Sequence, residues 1–361
     1  MTNLRDAARV MMVGFDGTEP SESLRTFVSE SPPCGVILFG RNITSTSQVA
    51  RLTRQLRELW PATEPPPLIA IDQEGGNVRR LKAPECPEFA QFPSMRAVGR
   101  SRNEETSFRV GEITARQLAA LGFNLNFAPV LDVDTNPENP IINQRAFARD
   151  PEWVAKLGIA CAQGLHAGGV LSCGKHFPGH GDTSIDSHLG LPSLPHSRER
   201  LDAVELRPFR AAVKAELPCL MSAHIVFEDL DPELPATLSP TVIPTLLRQE
   251  MGFEGVLFSD DLEMAAIGEH FEWSDIARRG LLASIDVFLV CRDLNGARIL
   301  RDALVQTTNE SQAHKLAFEE SLRRNDKVRT EAKDHASVPY SGRLPEQDSA
   351  KVLVDELLRA N

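Results

Sequence analysis

The sequence predicts a (β/α)8 barrel in a single domain, and three observations carry that expectation. Eight short apolar runs rich in β-branched residues recur between positions 10 and 291. None of them alternates cleanly between apolar and polar, which is the pattern of strands covered on both faces. Amphipathic helical stretches separate most of the runs, and the total length suits a barrel of about 250 residues. On pattern alone, an open doubly wound sheet is the alternative.

The strands are expected at VMMVGF (10–15), GVILFG (35–40), LIAID (68–72), FNLNFAPVLDV (123–133), GVLSCGKHF (169–177), CLMSAHIVF (219–227), GVLFSDD (255–261) and DVFLVC (286–291). Among the helices, residues 45–60 put Val49, Leu52, Leu56 and Leu59 on one stripe, with a serine or threonine to cap the start. Residues 105–122 end in Gly122, suited to the position after a helix. Residues 152–169 and 275–284 follow the same pattern. The barrel domain is expected over residues 1–325. Residues 326–361 read as an extended polar tail carrying a short terminal helix at 350–360.

Composition excludes several classes of function. A formal net charge of −11 and no long basic run argue against binding nucleic acid or an anionic membrane surface. No apolar stretch reaches membrane-spanning length, and the N-terminus carries no signal-peptide pattern, so a cytoplasmic monomer is expected. The six cysteines are scattered without a CxxC and read as buried free thiols of a reducing compartment. Neither GxxxxGK[ST] nor GxGxxG occurs, so nucleotide cofactors have no support, and no cofactor is expected.

In a barrel of this kind the chemistry gathers where strands end. IDQEGGNVRRL (71–81) places Asp72 at a strand end, followed by Arg79 and Arg80. Such a group suits hydrogen bonding to sugar hydroxyls, or equally a salt bridge that stitches a loop to its helix. In SDDL, Asp260 and Asp261 adjoin on a strand, so their side chains point to opposite faces. One should face the barrel mouth, while the other caps the next helix or pairs locally. KHFPGHGDTSIDSH (175–188) has three histidines, but its spacing matches no helical metal-ligand pattern. Its glycines and proline favour a loop. Asp186, two residues before His188, could set that histidine's tautomer and stabilise its imidazolium, as a general acid/base requires.

Taken in order, IDQEGG, INQRAF (142–147), KHFPGHGDT…DSH and SDDLEM resemble the family-3 glycoside hydrolases, in their β-N-acetylglucosaminidase branch. The resemblance runs from about residue 8 to about residue 325. It implies a retaining hydrolase with Asp260 as nucleophile and His188 as acid/base paired with Asp186. It implies that Asp72, Arg80, Arg145, Lys175 and His176 hold the sugar, with no metal. The substrate it implies is a small saccharide ending in β-linked GlcNAc, such as a muropeptide fragment of cell-wall recycling. Asn77 stands where many relatives have arginine. A phosphorylase, a broader β-glucosidase and a non-catalytic sugar-binding barrel are the alternatives.

Overall fold

The computed structural model describes residues 1–184, 190–334 and 340–359. Eight parallel strands close a barrel: β1 (Met11–Val13), β2 (Gly35–Leu38), β3 (Leu68–Ile71), β4 (Leu125–Asn126), β5 (Leu171–Phe177), β6 (Cys219–Ser222), β7 (Val256–Asp261) and β8 (Val287–Val290). Each strand pairs with its neighbours in chain order, and closure comes from β1 against β8, with Met11 opposite Phe288. All eight expected strands are present, and the barrel is the architecture the sequence predicts.

The missing alternation has a direct cause. One face of each strand enters a core inside the barrel, where Met12, Ile37, Phe127, Met221 and Phe258 pack together. The other face packs on the surrounding helices through residues such as Val36, Ile69 and Leu257. The helix Thr46–Leu59 is capped by the Ser45 hydroxyl and buries Val49, Leu52 and Leu56. Glu104–Ala120 is capped by Asn103, and Pro151–Ala167 by Asp150 with proline at its first turn. Gly122 ends the former with φ +88°, and a Cβ there would lie 2.5 Å from the Thr53 hydroxyl.

Two expected strands are shorter than their apolar runs. After Asn126 the chain leaves the β4 ladder towards Pro129, which has no amide hydrogen to pair with a neighbour. The 219–227 run divides between β6 and a separate three-stranded sheet of Ser193–Leu194, Val226–Phe227 and Asp231–Pro235. Two of those strands have only two residues, too few to carry a periodicity.

The expected polar tail needs correction at its start. Residues 326–334 are not extended but complete the helix Gln312–Asp334. Its narrow apolar stripe reaches the barrel floor, where Val328 and Ala332 join the interior core beside Cys34 and Leu68. Asn325 donates to the Asp286 carbonyl at 2.8 Å, and Arg329 Nε donates to the Pro66 carbonyl at 3.2 Å. The terminal helix Gln347–Arg359 buries Ala350, Leu353 and Leu357 and packs near Glu104–Ala120. All six cysteines are free and buried. Among the described residues, no helix is long and apolar enough to cross a membrane.

Candidate active site

The site is built at the C-terminal ends of the strands. β3 delivers Asp72 and, two residues later, Glu74. The Gln73 side-chain oxygen accepts from the Arg80 and Leu81 amides at 2.9 and 3.0 Å, folding the following loop back. That fold returns the Arg80 guanidinium to Asp72 at 3.0 Å. Gly75 permits the turn with φ +116°, and a Cβ there would lie 2.7 Å from the Pro93 carbonyl. From β5, Lys175 Nζ reaches Asp72 at 2.8 Å and Glu74 at 2.7 Å. Arg145, from the loop after β4, grips Glu74 with a two-pronged bond of 2.9 and 2.8 Å.

Two carboxylates are thus held among three cations. Burial acts to raise the pKa values of both acids, but Lys175 and Arg80 around Asp72 more than reverse it. Arg145 and Lys175 do the same for Glu74, and both acids end well below the usual carboxylate range. Burial likewise opposes the Lys175 charge, yet the two acids prevail and raise its pKa. The cluster stays charged and presents fixed donors and acceptors to a polar ligand.

His176 is oriented from below by Asp132, which is fully buried. Its Nδ1 lies 2.6 Å from Asp132 Oδ2, and Asp132 Oδ1 accepts from the His176 and His180 amides at 3.2 and 2.7 Å. Arg145 Nη2 sits 3.3 Å from His176 Nε2. Because a guanidinium only donates, Nε2 is the acceptor whenever the ring is neutral, with the proton on Nδ1, towards Asp132. His180 is held neutral, its pKa lowered to about 4 by burial and then by the neighbouring His176.

β7 supplies the two adjoining aspartates, and their environments drive them apart. Asp260 Oδ1 accepts from the Asp261 amide at 2.8 Å. Burial would raise its pKa, but His176, His224, that amide and Lys175 together lower it, so the carboxylate is ionised at neutral pH. The Asp261 carboxylate is instead taken up locally, accepting from the Glu263 and Cys291 amides at 3.1 and 3.3 Å. Burial pushes its pKa up to about 6. His224 Nε2 donates to the Asp261 carbonyl at 3.0 Å, which anchors the main chain just after the nucleophile candidate.

Asp72, Arg80, Arg145, Lys175, His176 and Asp260 line one cavity of about 300 Å³. Arg79 does not join them: its guanidinium reaches Gln91 at 3.3 Å instead. Asp186 and His188 lie outside the described residues. Sequence reasoning missed Glu74 and Asp132. Glu74 shares the strand-end segment with Asp72, and Asp132 sits in LDVD, so a polar residue at a strand end was the available signal. Among the described residues, no group of three His, Cys, Asp or Glu side chains is placed to hold a metal ion.

The model of the glycosyl hydrolase family 3 N-terminal domain matches residues 5–327. A β-hexosaminidase of Pseudomonas aeruginosa is 39% identical over 298 residues, covering 81% of this chain and 86% of that protein. β-Hexosaminidase A of Pseudoalteromonas piscicida is 36% identical over 300 residues, and the match covers 76% of this chain but only 50% of that longer protein. A family-3 β-N-acetylglucosaminidase from Paenibacillus sp. str. FPU-7 superposes with a TM-score of 0.93 at 36% identity, covering 100% of this chain and 69% of that one.

Proposed function

The chain belongs to glycosyl hydrolase family 3, among its β-hexosaminidases, and on that premise we propose that it is a retaining exo-β-N-acetylglucosaminidase. The observation that carries this reading is Asp260, an ionised, half-buried carboxylate facing the charged cluster across a cavity sized for one sugar. A pocket of about 300 Å³ is at the small end for ligand sites, which suits a single ring with its hydroxyls bonded on one side.

In the proposed reaction, a terminal β-linked GlcNAc binds with its hydroxyls on Asp72, Arg80, Lys175, Arg145 and His176. Asp260 attacks the anomeric carbon while His188 gives a proton to the leaving oxygen, so the glycosidic bond breaks as a glycosyl–Asp260 ester forms. His188, now neutral, takes a proton from water, and the resulting attack on the anomeric carbon frees GlcNAc and restores both groups. Asp186 holds the His188 ring in position through the cycle. A histidine of unperturbed pKa near 6.5 exchanges that proton readily close to neutral pH. The substrate proposed is a cytoplasmic muropeptide fragment such as GlcNAc–1,6-anhydro-MurNAc.

The test is hydrolysis of p-nitrophenyl β-N-acetylglucosaminide beside the β-glucoside, with and without EDTA, in phosphate and in a non-phosphate buffer. Release from the GlcNAc substrate alone, indifferent to EDTA and phosphate, supports the proposal. A phosphate requirement would make the enzyme a phosphorylase, and comparable release from the glucoside a broader glycosidase. Loss with EDTA would bring a metal into the site, and silence on both substrates would leave a sugar-binding barrel.

A further inference from the structure

A second cavity, of about 420 Å³, lies beside the catalytic one, and no step above uses it. The two share three lining residues, Val78, Ile141 and Arg145, which therefore form the partition between them. Arg145 is pinned to Glu74 and serves the sugar site. Val78 and Ile141 contribute only apolar side chains. On the far side the lining is neutral and rich in hydrogen-bonding groups, including Asn77, Asn143 and Gln144. Amides and hydroxyls of this kind match the hydroxyl and acetamido groups of a neutral sugar.

The order of strands says which end of the bound sugar meets the partition. In a ring of eight, β3 stands four places from β7, hence across the barrel mouth from it. The anomeric carbon must sit at Asp260, on β7. In a pyranose ring C4 is opposite C1, so a sugar that reaches from Asp260 to the Asp72–Glu74 cluster turns C4 towards β3 and β4. Val78 and Ile141 stand on the loops that follow those two strands. A further β-1,4-linked sugar on the non-reducing side would have to pass through them.

We propose that Val78 and Ile141 are the specificity-determining wall that confines cleavage to one terminal sugar, and that the cavity behind them can seat a second neutral N-acetylhexosamine once the wall is trimmed. The proposal rests on the retaining-hydrolase reading above. The wall can be cut without removing its hydrogen bonds, because these residues make them through their backbone atoms, which an alanine keeps. The Val78 carbonyl accepts from the Glu74 and Gly75 amides at 3.0 and 3.2 Å, and the Ile141 amide donates to Asn139 at 2.8 Å.

The experiment uses p-nitrophenyl β-N,N′-diacetylchitobioside and follows p-nitrophenol and sugar products together. The wild-type chain should release GlcNAc first and p-nitrophenol only after a lag. A Val78→Ala/Ile141→Ala double variant should release p-nitrophenol at once, with the intact disaccharide as co-product. The ratio of this direct cleavage to hydrolysis of p-nitrophenyl GlcNAc should rise at least about tenfold, the scale on which a few methyl groups alter pocket discrimination. An unchanged ratio would overturn the wall. Should the double variant not fold by circular dichroism, each single variant must move the ratio in the same direction, and no movement in either would equally overturn it. Adding Asn143→Ala to the double variant should cut the gain severalfold, and an undiminished gain would overturn the second cavity as the seat. A wild-type chain inactive on p-nitrophenyl GlcNAc would instead defeat the underlying hydrolase reading.

Discussion

Asp260 and Asp261 are bonded neighbours whose surroundings give them opposite chemistry. Replacing Asp260 by Ala should lower turnover by at least about 10⁴-fold with the circular dichroism spectrum unchanged, since a retaining mechanism cannot form its covalent intermediate without the nucleophile. Turnover near wild type would remove it as nucleophile. Asp261 behaves in the reverse sense, because its pKa rises on folding from 3.8 to about 6. The folded state then binds that proton more tightly, so the group costs stability progressively as pH rises from about 4 through 6, and by a constant amount above. Asp261→Asn should therefore stabilise the protein by roughly 1–3 kcal/mol at pH 7.5 and hardly at all near pH 4. Urea unfolding at the two pH values checks this, and an equal difference at both would refute it. His188→Ala should slow substrates with poor leaving groups far more than those with good ones, and equal losses would count against an acid/base role. Asp72, Arg80, Arg145, Lys175, His176 and Asp260 were legible because each falls within a recognisable motif, at a strand end or in the loop that follows one. Glu74 and Asp132 were not, since their work is to hold Lys175, Arg145 and His176, a role that shows only once the loops have folded together.

At the scale of elements, the strands were legible for the reason that makes the barrel stable, burial of both faces. The floor helix was not, because little of its surface is apolar. Val328 and Ala332 are flanked by the buried polar Asn325 and Arg329, which donate to the Asp286 and Pro66 carbonyls at the barrel floor. Asp286, at the start of β8, ties this helix to the barrel. It pairs with Arg248 at 2.5 Å and Arg324 at 3.1 Å and accepts from the Leu257 amide at 2.8 Å, while itself fully buried. Asp286→Ala would leave the buried guanidinium of Arg248 without its counter-ion, so a loss of about 3–5 kcal/mol is expected in urea unfolding. A loss below about 1 kcal/mol would show that water enters and replaces the carboxylate.

For the whole molecule, the site's acids act on stability together. Asp72, Glu74 and Asp260 all have folded pKa values below their ordinary 3.8 to 4.5. Their ionised forms stabilise the native state above about pH 4.5, and that contribution is lost as pH falls towards the depressed values, near 2 for Glu74. Asp261 works the other way between pH 4 and 6, but it is one group against three. The melting temperature should stay nearly level from pH 8 to 5 and drop steeply below about 4.5, and Glu74→Gln should make that drop shallower. A melting temperature that is flat down to pH 3 would contradict this. Barrel closure carries a further consequence, for the order of events as the chain is made. Met11 has its place beside Phe288, so the first strand cannot complete its pairing until the last has been synthesised. At the usual 5–20 residues per second, that is a wait on the order of 14–55 s. Throughout it, β1 presents an unpaired apolar edge to whatever else is nearby. The closure that leaves the finished barrel without a free edge thus makes its assembly late, non-local and dependent on the edge being shielded until residue 290 has emerged.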